Sequence, residues 1–142
     1  MTMQEQVELY KNDLNLFSDK DAKMEYILDY GKEADKLESE YKIDDNIIKG
    51  CSSLAWLHKA YKDSKIHLEA EGDSIIAKGM LVMLLEIFNN RTPDEILSFD
   101  PKKLLDIGLM ELLSPVRQQG LEAFLNVIYS YAKECKEGKH EI

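Results

Sequence analysis

Cys51 is the residue with the most chemistry to offer, and it stands in the run Ile48-Lys49-Gly50-Cys51-Ser52-Ser53. The nucleophilic form of cysteine is the thiolate, and an unperturbed thiol of pKa about 8.5 is only a few per cent ionised at neutral pH. Lys49 brings a positive charge within two positions, which favours the thiolate. Gly50 frees the backbone just before the thiol, so the side chain can ride on a bend or a loop tip. Small polar Ser52 and Ser53 follow. This pattern suits a sulfur nucleophile that reaches out to a second molecule. Composition and spacing leave another reading open, in which Cys51 is a small buried hydrophobe at a sheet edge.

The remaining polar residues advertise less. The chain has no GxSxG, HExxH, P-loop or GxGxxG pattern. His58, His67 and His140 have no metal-ligand spacing, and a zinc site built on Cys51 and His58 would need ligands that the sequence does not show. Cys135 falls on the apolar stripe of a helix, which predicts burial rather than a resolving role beside Cys51. Asp73 or Ser74 can cap the helix that follows, and Asp73 suits such a cap or a turn rather than a catalytic acid. Trp56 alternates with strand neighbours and is expected in the core. Arg117 follows Ser114 by three positions, in the first turn of a helix, where the dipole disfavours a cation. That leaves contact with a site or partner and a structural ion pair as its two readings.

These residues must be positioned by a mixture of helices and a small sheet. Val7, Tyr10, Leu14 and Phe17 recur at helical spacing, and Met24, Ile27, Leu28, Gly31 and Ala34 mark a second helix. Ser18 is the expected cap of the second helix, which should end near Leu37. Positions 53–62 and 66–71 alternate instead, and Asp63-Ser64-Lys65 suits a turn, so an antiparallel hairpin is predicted. Ile47-Ile48 could add a short third strand. A lone hairpin is marginal in water, so the sheet must pack on helices. Ile75 to Phe88 is apolar nearly all round and should be the central buried helix. Gly79 within it predicts a close approach to the sheet. Thr92-Pro93, Asp100-Pro101 and Ser114-Pro115 each place a capping side chain before a proline at a helix start. The expected fold class is α+β, a small antiparallel sheet of about three strands flanked by helices, in one domain over residues 1–142.

Composition narrows the function. The 142 residues are 44% hydrophobic, enough for a packed core. Asp and Glu number 27 against 18 Lys and Arg, a net charge of −9, with no basic cluster. Non-specific nucleic-acid binding and an anionic membrane surface both call for clustered positive charge. The longest apolar run, Met80 to Leu85, is too short to cross a bilayer. No secretory leader is read at the start of the chain, so the expected location is the cytoplasm, where a thiol stays reduced.

With those residues in view, the chain resembles the SufE family of sulfur-acceptor proteins. Gly50-Cys51-Ser52-Ser53-Leu54-Ala55-Trp56 resembles the family's Gly-Cys-x-Ser-x-x-Trp signature. Gly72-Asp73-Ser74 with Lys78-Gly79, then Thr92-Pro93-Asp94-Glu95-Ile96, then Leu113-Ser114-Pro115-Val116-Arg117 through Gly120-Leu121, follow in the family's order. The resemblance implies that Cys51 accepts sulfur as a persulfide from a SufS-like cysteine desulfurase, stimulates that enzyme, and passes the sulfur to a downstream iron–sulfur scaffold. Lys49, Gly50, Asp73 and Arg117 are carried along as supporting or partner-contact residues. No cofactor is implied on this chain, since pyridoxal phosphate belongs to the desulfurase. A homodimer is left open. Two other functions compete: an iron–sulfur scaffold, which in related proteins uses three cysteines against two in this chain, and a helical interaction domain with an incidental thiol.

Overall fold

The computed structural model describes residues 1–50 and 54–138. Helix α1 covers Met3–Asn15 and α2 covers Lys20–Lys32. Two short 3-10 turns, Ser39–Tyr41 and Asp44–Asn46, lead to strands β1, Ala55–Lys62, and β2, Lys65–Gly72. Helices α3 (Ile75–Phe88), α4 (Pro93–Ser98) and α5 (Pro115–Lys136) follow, with 3-10 segments at Pro101–Ile107 and Met110–Leu112 between the last two. The architecture is α+β, with the two-stranded antiparallel sheet flanked by helices.

The hairpin closes at Lys62 opposite Lys65, and Asp63 and Ser64 both take positive φ, 53° and 64°. That is the two-residue turn whose twist matches paired strands. Along β2, Ile66 and Leu68 turn inward and His67 and Glu69 outward, as the alternation predicts. The inner face packs on α3, which also lies against α2. Ile27, Leu57, Ile66, Met83, Ile87, Phe88 and Ile128 are at most 1% exposed and form the centre of the core. Each such side chain contributes about 1.5–3 kcal/mol relative to an exposed one. Thr2 and Thr92 each form a capping box, with Glu5 and Glu95, and Ser114 caps α5 as expected.

Four expectations shift. Asp19, not Ser18, caps α2, accepting the Ala22 N–H at 2.7 Å. Helix α2 stops at Lys32 rather than near Leu37, because Leu37 is buried separately and donates its N–H to Glu71 Oε1 at 2.8 Å. A tertiary hydrogen bond thus overrides helix propensity. The third strand shrinks to one bridge, Ile47 opposite Trp56, since a 3-10 turn ends at Asn46 and Gly50 turns the chain at φ +89°. Gly79 approaches α2 rather than the sheet: a methyl carbon on it would fall on the Ile27 carbonyl oxygen, and one on Gly31 would fall on the Ile75 carbonyl oxygen. The two glycines let α2 and α3 cross backbone to backbone.

Candidate functional site

Cys51, with Ser52 and Ser53, lies outside the described residues, so the site is built from what flanks it. The chain leaves at Ile48 and returns at Ala55, and those two residues are tied by the Ile48 N–H donating to the Ala55 carbonyl at 2.9 Å. The returning end is held a second time. Leu54 donates its N–H to Asp73 Oδ2 at 3.2 Å, and Asp73 donates its N–H to the Leu54 carbonyl at 3.0 Å. Asp73 therefore does not cap α3, a task Ser74 performs by accepting the Ala77 N–H. It clamps the base of the Cys51 segment to the head of α3. Asp73→Ala should speed hydrogen exchange at the Leu54 amide and lower stability by about 1 kcal/mol or less. Asp73→Asn, which keeps an acceptor, should restore most of that protection, and exchange at Met83 in the core should not change.

The leaving end carries Lys49 and Gly50, both exposed. Gly50 sits in the left-handed region at φ +89°, where side chains are strained, and a methyl on it would lie 3.5 Å from the Ala123 methyl of α5. The sequence reading of Gly50 as a backbone bend thus holds. Lys49 and Gly50 border a groove on α5 that also includes Lys59 and Tyr131. The Lys59 ammonium lies 5.6 Å from the Tyr131 ring centroid, and burial holds it below the ordinary lysine range, with Glu134 pulling the other way.

Between the two ends is an apolar cavity of about 40 Å³. Ile48 and Ala55, the two anchors of the Cys51 segment, line it with Met80 and Leu84 of α3 and Val116 and Phe124 of α5. Arg117 lines it as well, half-buried in the first turn of α5, its main-chain N–H on Ser114 Oγ at 3.3 Å. The fold therefore brings Arg117 to the wall of the same cavity that the anchors share, and puts Asp73 at the rim through Leu54. None of the cavity's other lining residues was read from the sequence as part of a site. The one signal that could have marked them is that α3 and α5 turn small residues, Ala77 and Gly120, toward the cavity.

A strap over the outer face of the sheet sets the approach to Ile47. Tyr41 stacks on His58 at 3.7 Å between ring centroids, and Lys42 Nζ lies 2.7 Å from Glu71 Oε2 and 5.5 Å from the Trp56 ring centroid. Trp56 is accordingly half-buried under the strap and is not a core residue. Burial pushes the Glu71 carboxyl upward, but Lys42 and the Leu37 N–H outweigh it and hold the group below its ordinary 4.5. A depressed carboxyl contributes stability above its unfolded pKa and loses it as pH falls through the folded value. Glu71→Gln should therefore flatten the acid side of the stability curve below about pH 4.5, read by urea unfolding at several pH values.

Cys135 is 5% exposed, and burial raises its thiol pKa despite a hydrogen bond with Tyr131. It is a core residue. Among the described residues no group of three or more His, Cys, Asp or Glu side chains is placed to hold a metal, and no helix is long and apolar enough to cross a membrane.

Comparison with known proteins bears on the same segment. Residues 8–132 match the family model of SufE, an Fe-S metabolism associated domain. SufE-like protein 1, chloroplastic/mitochondrial, of Arabidopsis thaliana is 32% identical over 112 residues, which are 78% of this chain and 30% of that protein. The chain thus spans under a third of that relative's length. A solution structure of a hypothetical protein from Thermus thermophilus superposes with a TM-score of 0.73, covering 94% of this chain and 97% of the other at 19% identity, a likeness of fold. The family match spans the clamp at Asp73, the bend at Gly50, the cavity between α3 and α5 and Cys51 in the sequence between them, so the chain belongs to the SufE family, the Fe-S metabolism associated domains.

Proposed function

We propose that the protein is a sulfur acceptor in which Cys51 takes persulfide sulfur from a cysteine desulfurase, relieves that enzyme of its product, and hands the sulfur to a scaffold for iron–sulfur assembly. The reading rests on one arrangement. The segment that carries the family's Gly-Cys motif is pinned at Ile48 and Ala55, and both pins open onto a small apolar cavity.

In the transfer, the Cys51 thiolate attacks the outer sulfur of the donor persulfide, R–S–S–H. A new S–S bond forms on Cys51, the donor's S–S bond breaks, and the donor leaves as R–S⁻. No net oxidation occurs, and the rate follows thiolate fraction, nucleophilicity and access. Lys49 raises the thiolate fraction from the leaving end of the segment, and Arg117 does so from the cavity wall. Cleavage of the carbon–sulfur bond stays with the desulfurase and its pyridoxal phosphate. This chain then needs no cofactor of its own, only a compartment reducing enough to keep Cys51 free.

A cavity on the order of one water molecule suits a single sulfur atom, and its largely apolar lining limits the approach of the thiols that would strip it. Mass spectrometry after incubation with a desulfurase and cysteine tests the assignment. The expected result is a gain of one sulfur atom on the peptide containing Cys51, reversed by dithiothreitol. Sulfur found on Cys135 instead, or on neither cysteine, would overturn it.

A further inference from the structure

The outer edge of β2 is filled at its first two outward-facing positions and open at the next. In a two-residue hairpin closed at Lys62 and Lys65, the even residues Ile66, Leu68 and Ala70 turn their N–H and C=O groups away from β1. At Ile66 the chain itself takes the place of a neighbouring strand: Ile66 donates to the Arg91 carbonyl at 2.8 Å and accepts from the Asn90 N–H at 2.9 Å. At Leu68 a side chain imitates one. Asn89 Oδ1 accepts the Leu68 N–H at 2.8 Å, and Asn89 Nδ2 donates to the Leu68 carbonyl at 3.1 Å. At Ala70, among the described residues, neither group has such a partner.

Ala70 instead faces a groove of about 510 Å³. One wall is the β2 edge, a second is α3 with its C-cap, from Lys78 to Asn89 with Val82 and Leu85 between, and Glu33 to Leu37 supply a third. Eleven helical steps span about 16 Å, the length of about five residues of extended chain. The groove is acidic. Glu71 is neutralised by Lys42, but Glu33, Asp35, Glu69 and Glu86 remain against Lys36 and Lys78. The lining thus carries a net charge near −2 within a chain of −9.

We infer that this edge is a docking site for an extended segment of a partner protein with alternating basic and apolar residues, which pairs its main chain with Ala70. Main-chain pairing holds the segment, and alternate side chains set the preference. Basic side chains on one face meet Glu69 and Asp35, and apolar ones on the other meet Val82 and Leu85. The acidic lining selects against acidic strands, in the way charged edges elsewhere block indiscriminate pairing. The site lies on a different edge of the sheet from the Ile47 bridge to Trp56, so it does not depend on sulfur transfer by Cys51.

The test uses the full chain and the peptide acetyl-Lys-Val-Lys-Val-Lys-amide, followed by amide NMR and hydrogen exchange. The expected result is a shift of the Ala70 amide and exchange slowed about tenfold or more at saturation, the scale of one added main-chain hydrogen bond. The acidic counterpart acetyl-Glu-Val-Glu-Val-Glu-amide should do neither. The exposed double variant Glu33→Lys/Asp35→Lys should weaken the basic peptide at unchanged thermal stability. No change at Ala70, or equal effects from both peptides, would overturn the proposal. So would Ala70 protection that rises with protein concentration in the absence of peptide, because the occupant would then be a second copy of this chain.

Discussion

Cys51→Ser should reduce stimulation of the desulfurase to the rate of the desulfurase alone, while thermal stability stays within about 0.5 kcal/mol of the parent. A serine hydroxyl carries no appreciable anion at neutral pH and cannot hold a sulfane sulfur as a persulfide. The loss is therefore complete rather than graded. Cys135→Ser is the control that separates chemistry from packing. That thiol is buried, so a hydroxyl in its place should lower stability by about 1–3 kcal/mol. It should leave stimulation intact at temperatures where the variant is folded. Brief treatment with iodoacetamide at neutral pH gives the same division without mutation, because burial raises the Cys135 thiol pKa. Alkylation should reach Cys51 first and abolish sulfur acceptance with it. Stimulation that survives Cys51→Ser would mean that the protein activates its partner by docking alone.

The parts of this site that could be read from the sequence are those governed by local rules. The three Pro-led helix starts, the hairpin from 55 to 72, and α3 with its bounds at Ile75 and Phe88 follow from capping chemistry and hydrophobic period. Gly50 was legible for the same reason, since a glycine before a polar tip signals a backbone turn. Asp73 was not, because a residue just ahead of a helix reads as its cap. Only the fold shows that Ser74 takes that task and leaves the Asp73 carboxylate to the Leu54 amide nineteen residues back. The early end of α2 was hidden likewise, since the Leu37 N–H finds its acceptor in β2. Arg117 was singled out by its discord with the helix dipole, and its place on the cavity wall supplies a contact for that discord. The cavity itself is invisible in sequence, because its walls come from several separate elements and, Arg117 apart, its lining residues are apolar or small and carry no chemical signature of their own.

Gly79→Ala should destabilise the fold by about 3 kcal/mol, although alanine is the better helix former by about 1 kcal/mol. The added methyl would meet the Ile27 carbonyl, which is backbone and cannot rotate away, so α2 and α3 must separate. Gly108→Ala is the comparison. Gly108 has φ +89° but open space around its Cβ position, so its variant should bear only the strain of a left-handed alanine, about 1–2 kcal/mol. Urea midpoints of the two variants at constant m-value would rank them. The reciprocal contact at Gly31 makes a sharper test, because its methyl would meet the Ile75 carbonyl across the same crossing. Once one methyl has parted the helices, the second finds room, so the double variant should fall short of the sum of the singles. The consequence reaches the site, because α3 also carries Met80 and Leu84 in the cavity wall and Asp73 at its head. A parted crossing should therefore speed exchange at the Leu54 amide as well as lower stability. Additive effects of Gly31→Ala and Gly79→Ala, or a Gly79→Ala variant as stable as the parent, would show that the close crossing does not hold the head of α3 against Leu54.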